Sequence, residues 1–271
     1  MIDLHLHSLC SDGDFSPSDV VKKAKDENIS VLSLTDHDSI SGINEARKIA
    51  TKLGIRCIPG VELEASTDIT KSRYIHILGY NFSRYDLLSE YLNRLKDERI
   101  SLIKQYIYLL NNLGYNVTFD EVSSLTPGEH LTVYHIAKLL SKRGFFDFST
   151  ARRMFLNADG EYYIPRQFYD VDFIINLILN SGGIPVLAHP CRLQQKGNEL
   201  DKYVASLCQK GLKGIEVYYS SHSKEDIEFY KSLAEKYNLL MTAGSDWHSP
   251  NDNIQMGMSI PLEDKLISHL L

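Results

Sequence analysis

Six histidines and three carboxylates carry the chemistry legible in this chain. His5 and His7 stand two residues apart in Ile2-Asp-Leu-His-Leu-His7, a run that alternates apolar and polar residues. A strand puts residues i and i+2 on one face, so both imidazoles can reach one ion. Asp12 follows in the next loop, His37 ends the run from Val31, Glu62 ends the run from Ile55, and His76 lies in Tyr74-Ile-His-Ile-Leu78. His189 ends the run from Ile184, and Asp246 and His248 follow the run from Leu239. One tetrahedral zinc takes about four ligands, so nine such donors imply two or three divalent ions. Such ions lower the pKa of a bound water from 15.7 towards about 7 and neutralise phosphoryl oxygens, which suits phosphate-ester hydrolysis. His222, in Ser220-Ser-His-Ser223 just after a predicted strand, faces the same rim and is a candidate to contact a phosphate or protonate a leaving group. Asp36 reads as a residue that orients a ligand or caps its loop, and Glu62 is favoured over Glu64 because it directly follows Pro59-Gly-Val61. His130 and His269 read as surface residues, and helix packing is the default for His135.

These donors need elements to aim them. Ser16-Pro17-Ser-Asp19 starts a helix, with an N-cap serine, proline at the first turn and an acid at the third position. The strand and helix signals then alternate through about residue 82, with a second helix over 41–53 stopped by Gly54. Residues 83–165 lose this rhythm and read as an inserted helical subdomain, with helices over Tyr91–Leu113 and Thr132–Lys142. The alternation resumes across 166–271. Seven predicted strands alternating with helices favour a parallel α/β barrel built from 1–82 and 166–271, with an open doubly wound sheet as the alternative. In a barrel, every donor named above falls at or near the C-terminal end of a strand, the rim where such folds place their sites.

Composition limits the partners. The chain has 271 residues, 43% hydrophobic and 24% charged, the proportions of a folded globular protein. No apolar run approaches the roughly 18–20 residues of a membrane span, and the N-terminal residues lack a secretory signal pattern. The net charge of −6 argues against a footprint on duplex nucleic acid but leaves room for a small phosphorylated substrate held by metal ions. Four scattered cysteines with no CxxC pair read as reduced thiols in a cytoplasmic protein. The oligomeric state has no sequence signal.

Taken in order, His5-Leu-His7-Ser, Ser11-Asp12-Gly13, Thr35-Asp-His37-Asp38, Pro59-Gly-Val-Glu62, His76-Ile-Leu-Gly-Tyr80, Ala188-His189-Pro190, Gly214-Ile-Glu-Val-Tyr218 and Gly244-Ser-Asp246-Trp-His248 resemble the PHP (polymerase and histidinol phosphatase) phosphoesterases. The resemblance implies a distorted (β/α)7 barrel with a trinuclear metal centre of manganese, iron or zinc. It implies one site from His5, His7, Glu62 and Asp246, a second from Glu62, His76 and His189, and a third from Asp12, His37 and His248, with Glu62 bridging. Some relatives carry His at the position of Asp12, and an oxygen ligand there tilts the preference towards manganese or iron. The helical insertion, Tyr134-His135-Ile-Ala, Glu161-Tyr-Tyr-Ile-Pro165 and Pro190-Cys-Arg192 are similar to the branch acting on nucleotides, which dephosphorylates nucleoside 3′,5′-bisphosphates or trims short 5′-phosphorylated RNA. By that likeness Arg192 binds phosphate and His135 belongs to the substrate-binding lid. Val133-Tyr134 departs from the Arg-Pro usual before the lid histidine. A metal-dependent amidohydrolase is the rival reading, disfavoured because no lysine sits at a predicted strand end to bridge ions. Histidinol phosphatase activity, the rival within the family, is disfavoured by the insertion.

Overall fold

The computed structural model describes residues 1–67, 74–126, 130–166, 168–193 and 195–260. The chain divides into two compact units, one of Met1–Ser89 with the chain from Phe168 onward, the other Glu90–Gln167. His269 lies outside the described residues.

The first unit is a seven-stranded sheet in the order β1 (Ile2–Leu6), β2 (Val31–Leu34), β3 (Arg56–Ser66), β4 (Tyr74–Tyr80), β5 (Ile184–Leu187), β6 (Gly214–Tyr219) and β7 (Leu240–Gly244). The sheet curls into a nearly closed barrel. Leu6 forms a parallel bridge with Trp247, His7 N donates to Trp247 O at 3.0 Å, and Asp246 N donates to His5 O at 2.9 Å. Asp3 ties the seam beneath: its buried carboxylate accepts from Ser245 N and Oγ at 2.9 and 2.6 Å and from Gly257 N at 2.8 Å.

Helices α1 (Pro17–Asp26), α2 (Ile43–Leu53), α7 (Val171–Asn180), α8 (Asn198–Gln209) and α9 (Lys224–Tyr237) complete this unit. Their ends are set by local chemistry. Ser16 Oγ accepts from Asp19 N at the start of α1, Ser223 and Asp226 close a reciprocal cap at the start of α9, and Gly54 ends α2 at φ 69°. Leu6, Val20, Leu32, Leu34, Ala46 and Trp247 bury one side of the barrel against α1 and α2.

The parallel barrel expected from the alternation is corrected at one strand. β4 runs antiparallel to both β3 and β5, while the other neighbouring pairs are parallel. β3 also continues to Ser66, so Glu62 sits mid-strand and not at a strand end, paired with Leu78 across the β3–β4 ladder.

The second unit packs α4 (Phe119–Ser123), α5 (Val133–Lys142), α6 (Phe148–Phe155) and most of α3 (Tyr85–Asn112) around Ile103, Tyr106, Leu110, Ile136, Leu140 and Phe155. α3 begins six residues before the expected Tyr91, and α4 and α6 are short helices that no periodicity announced. Tyr106 fastens this core, donating to Phe155 O at 2.7 Å and accepting from Ile164 N at 2.8 Å. Among the described residues no helix is long and apolar enough to cross a membrane.

Candidate metal centre

Strand chemistry brings the donors to one rim. His5 lies in β1 and His7 just past it, both fully buried. His37 follows β2 and bridges Glu62 of β3. The reversal of β4 explains His76, third in its strand: an antiparallel strand brings its first residues to the rim where its neighbours bring their last. His189 and Asp246 follow β5 and β7 with left-handed backbones, φ 25° and 59°. Non-glycine residues held there store roughly 1–3 kcal/mol of strain, a feature that clusters at functional sites.

Glu62 is the hub. Its Oε1 lies 2.7 Å from His76 Nδ1 and 3.0 Å from His189 Nε2. Its Oε2 lies 3.1 Å from His5 Nε2, 3.3 Å from His7 Nε2 and 3.2 Å from His37 Nδ1. Asp246 Oδ1 completes the inner side, 3.1 Å from His7 Nε2 and 3.5 Å from His5 Nε2. Asp12, more exposed, lies 3.3 Å from His248 Nε2, 3.7 Å from His7 Nδ1 and 3.9 Å from His37 Nε2.

Three groups of donor atoms lie within 4.8 Å of one another: His5, His7, Glu62 and Asp246; His7, Asp12, His37 and His248; and His37, Glu62 and His76. His189 joins the last through its contacts with Glu62 and His76. The donors fit divalent ions on a direct observation. His5 Nε2, both ring nitrogens of His7, His76 Nε2 and Glu62 Oε2 are buried yet make no hydrogen bond of acceptable geometry. Buried polar atoms are rarely left so, and imidazole with carboxylate suits zinc, iron or manganese.

The electrostatics point the same way. Burial alone would raise the Glu62 and Asp246 carboxyls, but the surrounding histidines hold both well below the usual carboxylate range. Burial would lower His7, yet the Asp246 and Glu62 carboxylates beside it, with Asp12, push it up to about 10. His37, desolvated and facing His7 and His76, falls to about 4 despite Glu62 and Asp12. Buried carboxylates here demand positive charge, supplied by protons or by metal ions.

Further residues brace the cluster. Asp36 accepts from Ser8 N at 2.7 Å, Ser8 Oγ at 2.8 Å and Ser11 Oγ at 2.7 Å, so it caps the loop that carries Asp12. Glu216, to which sequence reasoning gave no role, lies buried in β6 with Oε1 3.0 Å from His5 Nδ1 and Oε2 accepting His189 N–H at 2.7 Å. Tyr219 was missed as well; its hydroxyl donates to Asp246 Oδ2 at 3.0 Å.

Arg192 reaches the rim from the turn Pro190–Arg192. Its Nη2 lies 2.6 Å from Asp246 Oδ2 and 2.5 Å from Tyr219 Oη, with the side chain half exposed. His222 sits one ring further out, its ring centroid 5.1 Å from that of Tyr219 and 4.7 Å from that of Tyr230. Its Nδ1 donates to Val217 O at 2.7 Å and burial lowers its pKa, so the imidazole is neutral with Nε2 as an acceptor. His135 belongs to the helical unit, where its Nδ1 accepts from Thr132 N at 3.1 Å and caps α5; none of the three donor groups contains it. His130 is partly buried beside Arg99, also in the helical unit. Glu64, opposite His76 in the β3–β4 ladder, is partly exposed.

Gly244 leaves the room this packing needs. A Cβ there would stand 2.2 Å from His5 Cβ and 2.8 Å from Glu216 Oε1. Gly244→Ala is expected to lose about 1–3 kcal/mol by overpacking, read as an earlier midpoint in urea unfolding. An unchanged midpoint would show that β1 and β7 are less rigidly spaced than described.

The PHP domain family model matches residues 3–128. The chain is 30% identical to a 5′-3′ exoribonuclease of Haemophilus influenzae, covering 98% of this chain and 96% of the relative. It belongs to the PHP family of metal-dependent phosphoesterases. A 3′,5′-nucleoside bisphosphate phosphatase of Chromobacterium violaceum is 29% identical over 93% of this chain and 88% of its own length. Two solved structures share the fold. One, a Chromobacterium violaceum protein described as an amidohydrolase with bound sulfate, has TM-score 0.83 and 28% identity, covering 99% of this chain and 95% of the other. The second, a Bifidobacterium adolescentis protein described as a candidate metal-dependent phosphoesterase, has TM-score 0.80 and 25% identity over 97% and 93%. This PHP protein is a phosphoric ester hydrolase.

Proposed function

We propose that this PHP enzyme hydrolyses phosphate esters of nucleotides: nucleoside 3′,5′-bisphosphates, nucleoside monophosphates or short 5′-phosphorylated RNA. The observation that carries the reading is Glu62, whose two oxygens meet different sets of histidines and so suit a bridging ligand. His5, His7, Glu62 and Asp246 would hold one divalent ion, Glu62, His76 and His189 a second, and Asp12, His37 and His248 a third, with manganese, iron or zinc fitting the donors. Such ions supply Lewis-acid polarisation of the phosphoryl group and a water acidic enough to attack at neutral pH. Arg192 offers a half-exposed guanidinium to a phosphoryl oxygen beside Asp246. His222 offers Nε2 to a protonated substrate oxygen, and its neutral state suits this better than donating a proton to a leaving group. His135 is assigned to substrate binding through the helical unit on family likeness. The exoribonuclease and bisphosphate phosphatase relatives support a nucleotide substrate. The four free cysteines suit a reducing cytoplasm.

A substrate panel tests the proposal. Purified protein with manganese would receive adenosine 3′,5′-bisphosphate, AMP, a 5′-phosphorylated RNA trinucleotide, histidinol phosphate and an N-acyl amide. Rapid phosphate release from the bisphosphate, lost in His5→Ala, is the expected result. Mononucleotide release from the trinucleotide places the enzyme with the exonucleases instead. Turnover of the amide alone would overturn the assignment.

A further inference from the structure

The two oxygens of Asp246 do different work. Oδ1 faces inward to His7 and His5, 3.1 and 3.5 Å away. Oδ2 faces outward, where Tyr219 Oη donates to it at 3.0 Å and Arg192 Nη2 at 2.6 Å. Nη2 also donates to Tyr219 Oη at 2.5 Å, so phenol, guanidinium and carboxylate form a closed triangle. Tyr219 is buried at the end of β6, paired with Gly244 of β7, and its ring centroid lies 5.7 Å from that of His189. It is therefore fixed by sheet and ring packing, whereas Arg192 is half exposed on a short turn.

We infer that Tyr219 is a positioning residue for metal binding: its hydroxyl holds Asp246 Oδ2 outward, so that Oδ1 stays turned towards His5 and His7. Asp246 needs such a hold because its own chain does not fix which carboxylate oxygen faces inward. A rotation about its terminal torsion, which is broad for aspartate, would exchange the two oxygens. Arg192 alone would not prevent this once its guanidinium turns to a substrate phosphate. The rigid phenol keeps the carboxylate plane set through that exchange. Partners behind a ligating carboxylate are worth about 10–100-fold in metal affinity.

The inference rests on Asp246 being a metal ligand, as proposed above. Its test is manganese binding by full-length protein stripped with a chelator, measured by calorimetry for the unmodified protein and Tyr219→Phe, which keeps the ring. The expected result is a loss of about 10–100-fold in affinity at one manganese site, with a far-ultraviolet spectrum and unfolding midpoint close to those of the unmodified protein. Phosphatase activity of the variant should fall at limiting manganese and return at saturating manganese with KM unchanged. Equal manganese affinity in the two proteins would overturn the inference, whatever happens to turnover. Failure of the unmodified protein to bind manganese would instead sink the metal-centre reading itself. If Tyr219→Phe unfolds early, Arg192→Ala with the phenol intact is the second arm: it should raise KM while holding most of the manganese affinity, and an equal loss of affinity would assign the hold on Asp246 to the guanidinium.

Discussion

Glu62→Gln should leave a folded protein that has lost both metal and turnover. The amide has the carboxylate's shape, so the buried site keeps its packing, but the charge at the centre of five histidines is gone. Those imidazoles are then left with Asp246, Asp12 and Glu216 to offset a cation, and the one carboxylate shared by two donor sets is removed. Metal ions contribute several kcal/mol of transition-state charge stabilisation, so kcat/KM should drop on the order of 10³-fold or more. Manganese stoichiometry, measured by elemental analysis after gel filtration, should fall by at least one ion per chain. A variant that retains full stoichiometry and turnover would remove Glu62 from the bridging position.

Glu216→Gln should be the more informative loss, because Glu216 is not itself in any of the three donor groups. Its two oxygens meet His189 N–H at 2.7 Å and His5 Nδ1 at 3.0 Å. The backbone N–H can only donate. His5 Nδ1 must also donate if Nε2 is to keep a lone pair for an ion. Two donors require two acceptors, and a carboxylate has them; an amide has one, with an N–H2 group in place of the other. The amide must turn its N–H2 either to His189 N–H, leaving a buried clash of donors worth about 1–3 kcal/mol, or to His5 Nδ1, which forces the proton onto Nε2 and spoils the ligand. Metal affinity is expected to fall by about 10–100-fold, and histidine nitrogen NMR of the zinc-loaded protein should report the tautomer change. An unchanged His5 tautomer with unchanged affinity would confine Glu216 to packing.

Much of this site was readable before folding because its donors sit in short runs whose period fixes their face. His5-Leu-His7 on a strand can only point both imidazoles one way. Glu216 stood in the same kind of run, Gly214-Ile-Glu-Val-Tyr218, and the signal was present: an acid in the middle of an apolar strand must be buried with partners. Its partners are far away in the chain, 211 residues back at His5 and 27 back at His189, and spacing does not reveal them. The direction of β4 was also encoded and overlooked. Between Glu62 and Tyr74 there is no room for the dozen or more residues of a crossover helix, and a chain that cannot cross over must turn back. His135 shows the converse. Its family likeness points to a substrate, while the residue three before it, Thr132, gives it a local task at a helix end. Tyr219 had no signal, since an aromatic residue at a strand end is ordinary core until its hydroxyl partner is known.

The seam between β1 and β7 sets a timetable for synthesis. Asp3 waits for Ser245, a separation of 242 residues, and His7 waits for Trp247. At about 5–20 residues per second on the ribosome, the first strand spends roughly 10–50 s with one edge unpaired. During that interval β1 can pair with β2 but has no β7, and His5 and His7 have neither Asp246 nor His248 beside them. The two donor groups that need Asp246 or His248 are therefore completed last, whereas His37, Glu62 and His76 are all made within the first 76 residues. Ions held by those two groups would act as a clasp on a finished ring and not as a seed for it. The exposed edge in the meantime, with its alternating Ile2, Leu4 and Leu6, is where a nascent chain of this protein is most open to pairing with another.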